Sequence, residues 1–282
     1  MVTLDKNTIK IGSLEWFYRE AKPEQTDKSP VLLLHGLVSQ SYSWVVLMEE
    51  LAAKGYRAIA PDWIGSGFSS KADKRDFAYT PDAFLKALSE FIETLELSQF
   101  HLVVQGFLGS VGLQYALKNP DKIDRLIVLN TPVSPAAKLP WKIQQMGLPF
   151  VGDMMVQDPL LVDRTLEGGS GYVIEDKDLD VYRRPFLKSS ASGRSLLATI
   201  KNLKLKESMA EISTGFKTWE HPTQIIWGVA DPWLSVEQAQ EFANLVRGSE
   251  FVKLEKAGHY PQDHWGKEIS ESLLLFLRKQ AV

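Results

Sequence analysis

His101-Leu102-Val103-Val104-Gln105-Gly106-Phe107-Leu108-Gly109-Ser110 reads as a short apolar strand that runs into a glycine-rich turn. The helix that follows, Val111 to Lys118, is stopped by Asn119-Pro120, because proline cannot continue a helix and disfavours helical geometry in the residue before it. Similar units lie on both sides. Val31 to Leu34 is a continuous apolar run, as expected of a strand covered on both faces. Trp44 to Lys54 carries Trp44, Leu47, Met48 and Leu51 at helical spacing, with Gly55 as its C-cap. Arg57 to Ala60 is the next strand, ended by Pro61-Asp62. Pro81 opens a helix reaching Leu95, with Phe84, Leu85, Leu88, Phe91 and Ile92 along one stripe. Leu126 to Leu129 is a further strand, and Leu14 to Tyr18 alternates like an edge strand. This alternation implies an α/β fold, a mostly parallel central sheet flanked by helices.

Between Val133 and Glu220 the pattern breaks into short helical pieces and Gly168-Gly169-Ser170-Gly171, and it resumes at Thr223. An insertion between two strands of one sheet is most simply a mainly helical cap over their carboxyl ends, where open α/β sheets bind ligands. The expected organisation is a core of residues 1–132 and 221–282 with a cap at residues 133–220.

Composition removes several classes of function. An apolar fraction of 44% is ample for one large core. A net charge of -3 gives no electrostatic footprint for nucleic acid and no basic stripe for an anionic membrane. With no cysteine, disulfides, thiolate catalysis and thiolate metal sites are all removed. Met1 to Lys10 shows no secretory signal, and no apolar run is long enough to cross a bilayer. The expected location is the cytoplasm or an organelle interior, as a monomer or weak homo-oligomer.

Four further stretches fall in order around the opening one: Leu34-His35-Gly36, Ala60-Pro61-Asp62-Trp63-Ile64-Gly65-Ser66-Gly67-Phe68-Ser69, Ile226-Trp227-Gly228-Val229-Ala230-Asp231-Pro232 and Ala257-Gly258-His259-Tyr260-Pro261. Together they resemble the α/β-hydrolase superfamily, in the branch around haloalkane dehalogenases, epoxide hydrolases and related esterases. Tyr182-Arg183-Arg184-Pro185-Phe186 also resembles caps of that branch. The resemblance implies a nucleophile, an acid and a histidine in that chain order. Asp231 and His259 stand at the acid and histidine positions. The flanking strand and helix put Gly106 at the nucleophile position, whereas the local glycine spacing puts Leu108 there. Neither can attack a substrate. Ser110 is the local alternative nucleophile, four residues beyond Gly106.

The resemblance also implies an oxyanion hole from the backbone amides of Leu37 and Phe107. Haloalkane dehalogenation is argued against: it needs an aspartate nucleophile and side-chain N–H donors for halide, and Gly106, Leu37 and Phe107 supply none. His35 reads as ordering its loop and Asp62 as capping its turn. His101, His221 and His264 show no metal-like grouping, and Asp263 is a weaker alternative acid. Gly65-x-Gly67 lacks the third glycine of a dinucleotide site, so no cofactor is expected. Trp44, Trp141, Phe186 and Trp233, with Phe107, Phe150 and Trp219, are candidates to line an apolar pocket under the cap.

Two functions follow. One is a hydrolase in which His259, held by Asp231, activates water lodged beside Gly106 and attacks a small apolar ester or lactone without a covalent nucleophile. The other is a catalytically inactive relative that binds a small apolar ligand or a protein partner. The Asp231–His259 pair favours the first and the substituted turn favours the second.

Overall fold

The computed structural model describes residues 3–279; Met1, Val2 and residues 280–282, which fall within the expected core and N-terminal stretch, lie outside the described residues. Eight strands form one sheet in the order β1-β2-β4-β3-β5-β6-β7-β8. They are β1 (Thr3–Ile11), β2 (Leu14–Lys22), β3 (Val31–Leu34), β4 (Ala58–Pro61), β5 (Phe100–Gln105), β6 (Ile123–Leu129), β7 (Thr223–Gly228) and β8 (Glu250–Leu254). From β4 through β8 every pairing is parallel, and β1 and β2 join antiparallel at one side. The expected α/β architecture is therefore present. One detail differs: β2 is not an edge, because β1 pairs along its whole length and takes the edge position. The polar sequence of β1, Thr3-Leu4-Asp5-Lys6-Asn7-Thr8, suits an exposed strand and carries little periodic signal.

The helices in chain order are α1 (Val45–Ala53), α2 (Pro81–Thr94), α3 (Gly109–Lys118), α4 (Trp141–Met146), α5 (Val151–Met155), α6 (Leu161–Ser170), α7 (Asp176–Lys188), α8 (Ser190–Asn202), α9 (Leu205–Gly215), α10 (Val236–Leu245), α11 (Pro261–His264) and α12 (Gly266–Arg278). Local chemistry explains the clearest of them. The Thr80 hydroxyl accepts from Ala83 N, and Pro81 occupies the first turn of α2, where its missing N–H costs nothing. The four-residue strands β3 and β4 are wholly buried. One core packs Leu32, Leu34 and Leu102 against α2 and α3, and a second packs Val31, Leu33 and Val103 against α1 and α12.

Six helices, α4 to α9, lie between β6 and β7, in the stretch where a mainly helical insertion is expected, and they are more regular than its sequence suggests. Gly168 to Ser170 end α6, and Gly171 closes it with φ of 76°. The segment is tied to loops beyond the strand ends. Gln40 Nε2 donates to Val181 O at 2.9 Å, the Tyr42 hydroxyl to Asp178 Oδ1 at 2.6 Å, and the Tyr182 hydroxyl to Asp263 Oδ1 at 2.5 Å.

Candidate active site

The loops after β7 and β8 meet because two glycines allow them to touch. A methyl group on Gly228 would lie 2.4 Å from Gly258 O, and one on Gly258 would lie 2.4 Å from Gly169 O in α6. Gly169 O in turn accepts from His259 N at 2.8 Å. The imidazole is thereby seated: His259 Nδ1 lies 2.9 Å from Asp231 Oδ2, with both side chains excluded from solvent. The Asp231 carboxylate is saturated. Its Oδ1 accepts from Trp233 N and Leu234 N at 2.8 and 3.1 Å, and Oδ2 also accepts from Asn130 Nδ2 at 2.8 Å. The oxygens of an ionised carboxylate only accept hydrogen bonds. Asp231 places the imidazole proton on Nδ1 and leaves a lone pair on Nε2. His259 Nε2 is buried and has no hydrogen-bond partner.

Gly106 faces that nitrogen. It follows β5 with φ of 69°, a left-handed conformation that strains any side-chain-bearing residue. Leu108, the other candidate for the turn, has an ordinary φ of -74° before α3 and is buried in the core. A methyl group on Gly106 would lie 3.5 Å from His259 Nε2 and 2.7 Å from Gly36 Cα. The backbones of Gly36 and Gly106 therefore pack directly against each other at this turn. Ser110 does not reach the pair: its hydroxyl donates to Phe107 O at 2.8 Å within the first turn of α3. The Leu37 and Phe107 amides donate to no protein acceptor among the described residues.

Aromatic rings enclose the imidazole. Phe107 stacks on it at 5.3 Å, Trp233 lies at 4.6 Å and Tyr260 stands edge-on at 4.9 Å. The Tyr260 hydroxyl donates to Leu37 O at 3.0 Å. Trp233 also walls a cleft of about 590 Å³ with Trp141, Ile143, Met146, Met155 and Leu161. Of the other expected pocket residues, Trp44 is fully buried in the core against α1 and α12. Its early position in that helical turn fits packing equally well. Phe186 packs partly buried against the main core, Trp219 is buried against Phe216, and Phe150 is 83% exposed.

His35 and Asp62 hold loops. His35 Nε2 accepts from Trp63 N at 3.2 Å, and burial lowers its pKa from the ordinary value. Asp62 accepts from Ser41 N and Phe68 N at 2.6 and 2.7 Å. Among the described residues, no three His, Cys, Asp or Glu side chains group as metal ligands.

Sequence reading missed two positions. Gln105, fully buried, accepts from Gly36 N at 3.1 Å and donates to His259 O at 2.6 Å, joining the loops after β3 and β8. Asn130, with φ of 35°, donates to Asp231 and accepts from Gly228 N at 2.8 Å. A polar residue closing each of two apolar strands was the available signal.

The profile of the alpha/beta hydrolase fold family matches residues 29–264. The chain belongs to that family. Within it, the chain is 26% identical over 296 residues to Epoxide hydrolase 1 of Caenorhabditis elegans, covering 98% of this chain and 70% of the relative. It is 27% identical over 283 residues to a haloalkane dehalogenase of Mycolicibacterium paratuberculosis, covering 96% and 90%. The crystal structure of haloalkane dehalogenase DbeA from Bradyrhizobium elkani USDA94 superposes with a TM-score of 0.86 at 21% identity, covering 98% of each chain. Family membership accounts for the sheet order. No helix among the described residues is long and apolar enough to cross a membrane.

Proposed function

We propose that this family member is a hydrolase that activates water with the His259–Asp231 pair, forms no covalent intermediate, and acts on a small apolar ester- or lactone-like substrate. The observation that carries the reading is the buried, unpartnered Nε2 of an imidazole whose other nitrogen is fixed by a saturated carboxylate. Leaving a polar atom buried and unpaired costs about 1–3 kcal/mol, and use as a base gives that cost a purpose.

In this reading Nε2 takes a proton as the water oxygen adds to the substrate carbonyl. The oxyanion faces the Leu37 and Phe107 amides, and the imidazolium beside Asp231 returns the proton to the departing oxygen. Triad enzymes stripped of a member keep roughly 10³–10⁴-fold acceleration over water, which suits activated esters and lactones. Residues 133–220 serve as the cap, and Trp141 and Trp233 contact the substrate. Because Trp233 and Phe107 enclose Nε2, Trp233 moves aside for substrate to reach it. Haloalkane dehalogenation does not suit these residues, since Gly106 cannot displace halide and Leu37 and Phe107 offer no side-chain donor for it.

The contact between Gly36 and Gly106 favours a second reading, a relative that binds a small apolar ligand without turnover. Short-chain aryl esters and lactones assayed beside thermal-shift titrations separate the two. Turnover that vanishes in His259→Ala supports the first; saturable stabilisation without turnover supports the second.

A further inference from the structure

Six large apolar side chains stand exposed within residues 141–160: Trp141 at 68%, Leu148 at 48%, Phe150 at 83%, Val151 at 39%, Met154 at 74% and Leu160 at 44%. Five others are scattered over the rest of the described chain. The concentrated set comes from α4, α5 and the two turns that flank α5. The turn into α5 reads Leu148-Pro149-Phe150, with two large apolar residues where turns in water carry glycine, asparagine or aspartate. Phe150 has φ of 63°, a left-handed backbone that holds an aromatic side chain out from the protein. Single exposed apolar residues need no explanation, but six within residues 141–160 concentrate exposed apolar surface on one short segment, which is the mark of an interaction surface.

Charge around the group selects its partner. Lys138 and Lys142 are exposed on the α4 side. Lys74, Arg194 and Lys201 line one cleft together with Asp73 and the exposed Asp153 of α5. Asp73 is engaged by Arg75 at 2.8 Å, and Asp158 by Arg164 at 2.6 Å. Lys74, Arg194 and Lys201 are far apart in the chain, so no basic stripe is visible in the sequence; folding brings them into one cleft beside α5. Tryptophan and phenylalanine at the centre with lysine and arginine around them is the pattern of a protein face that lies in the headgroup region of an anionic bilayer. Protein interfaces, by contrast, are depleted in lysine.

We propose that the α4–α5 face is a docking surface for an anionic lipid bilayer, with Trp141, Phe150 and Met154 entering the interface and the basic rim meeting the headgroups. Trp141 is also a wall of the 590 Å³ apolar cleft, so docking sets the mouth of that cleft against the acyl chains. The docking surface stands whether or not His259 turns over a substrate.

The test is co-sedimentation of the full chain with phosphatidylcholine vesicles containing phosphatidylglycerol, and with pure phosphatidylcholine vesicles beside them. Binding is expected to the anionic vesicles, to weaken with salt, and to fall about tenfold or more in Phe150→Gly/Trp141→Ser. Glycine accepts the left-handed φ at position 150, so this change spares the fold there. Lys142→Glu/Lys201→Glu is expected to lower binding without altering the apolar group. Absence of vesicle binding overturns the proposal, as does binding unchanged in these variants. A concentration-dependent dimer by light scattering, without vesicle binding, assigns the face to a second copy and also overturns it.

Discussion

Gly36 and Gly106 meet backbone to backbone, so closely that a methyl group on Gly106 would lie 2.7 Å from Gly36 Cα. The turn after β5 is thus closed at the point where a nucleophilic side chain would begin. Gly106→Ser is expected to destabilise the protein by about 1–3 kcal/mol, from left-handed strain and overpacking together. It is expected not to create a faster esterase. Urea unfolding and an aryl ester assay check both parts; a stable variant with a burst of product would contradict the account.

Asp231 fixes the tautomer of His259 through the 2.9 Å contact with Nδ1. Asparagine can present its amide to Nδ1 and reverse that tautomer. In the serine-protease triad the equivalent change costs roughly 10⁴-fold, and Asp231→Asn is expected to remove any turnover by a comparable factor, with a stability loss of about 1–3 kcal/mol because the new amide also faces the Asn130 Nδ2 donor. Activity within a few-fold of wild type in the variant would show that the pair is structural.

Trp233 lies between the apolar cleft and the imidazole, 4.6 Å from the ring of His259. Trp233→Ala is expected to expose Nε2, so that His259 reacts with diethyl pyrocarbonate about tenfold faster or more. Peptide mapping of the modified histidine reads this directly. Equal rates in both proteins would place the route to His259 elsewhere.

Asp263 gives the fold a pH dependence. Its Oδ2 is buried without a partner, and burial pushes the carboxyl up to about 7, against the pull of the Tyr182 hydroxyl and with Asp178 adding repulsion. Tyr42, whose hydroxyl donates to Asp178 and whose ring stacks with the Arg19 guanidinium, faces the same cluster, and His264 adjoins it. Between the unfolded value of about 3.9 and about 7, the folded protein keeps a proton that the unfolded chain releases. Its stabilising contribution is complete below that window and is lost as pH rises through it, by at most about 1.4 kcal/mol per pH unit. Asp263→Asn is expected to flatten this slope in unfolding midpoints measured across the window. An unchanged slope would assign it to other groups.

The core of the fold was legible because parallel strands covered on both faces are plain apolar runs, and Val31 to Leu34 and His101 to Val104 could be read without ambiguity. The hairpin strand β1 was not legible, since an exposed edge of alternating polar residues has no signature of its own. Residues 133–220 hid their helices because α4 and α5 are only six and five residues long, α7 carries Pro185 inside it, and α6 and α8 contain glycines that read as breaks. At the site, the motifs around Asp231 and His259 exposed the pair. Gln105 and Asn130 were hidden because their roles depend on partners far away in the chain. The aromatic set was only partly legible: Trp44 and Trp233 look alike in sequence, and topology alone sends one beneath the sheet and the other to the cleft.

The most direct test of the general-base account is hydrolysis of a short-chain aryl ester panel by purified wild type, His259→Ala and Ser110→Ala. The account predicts turnover in wild type and Ser110→Ala and background rates in His259→Ala. Loss in Ser110→Ala with its fold intact, or rates in His259→Ala equal to wild type, would contradict it.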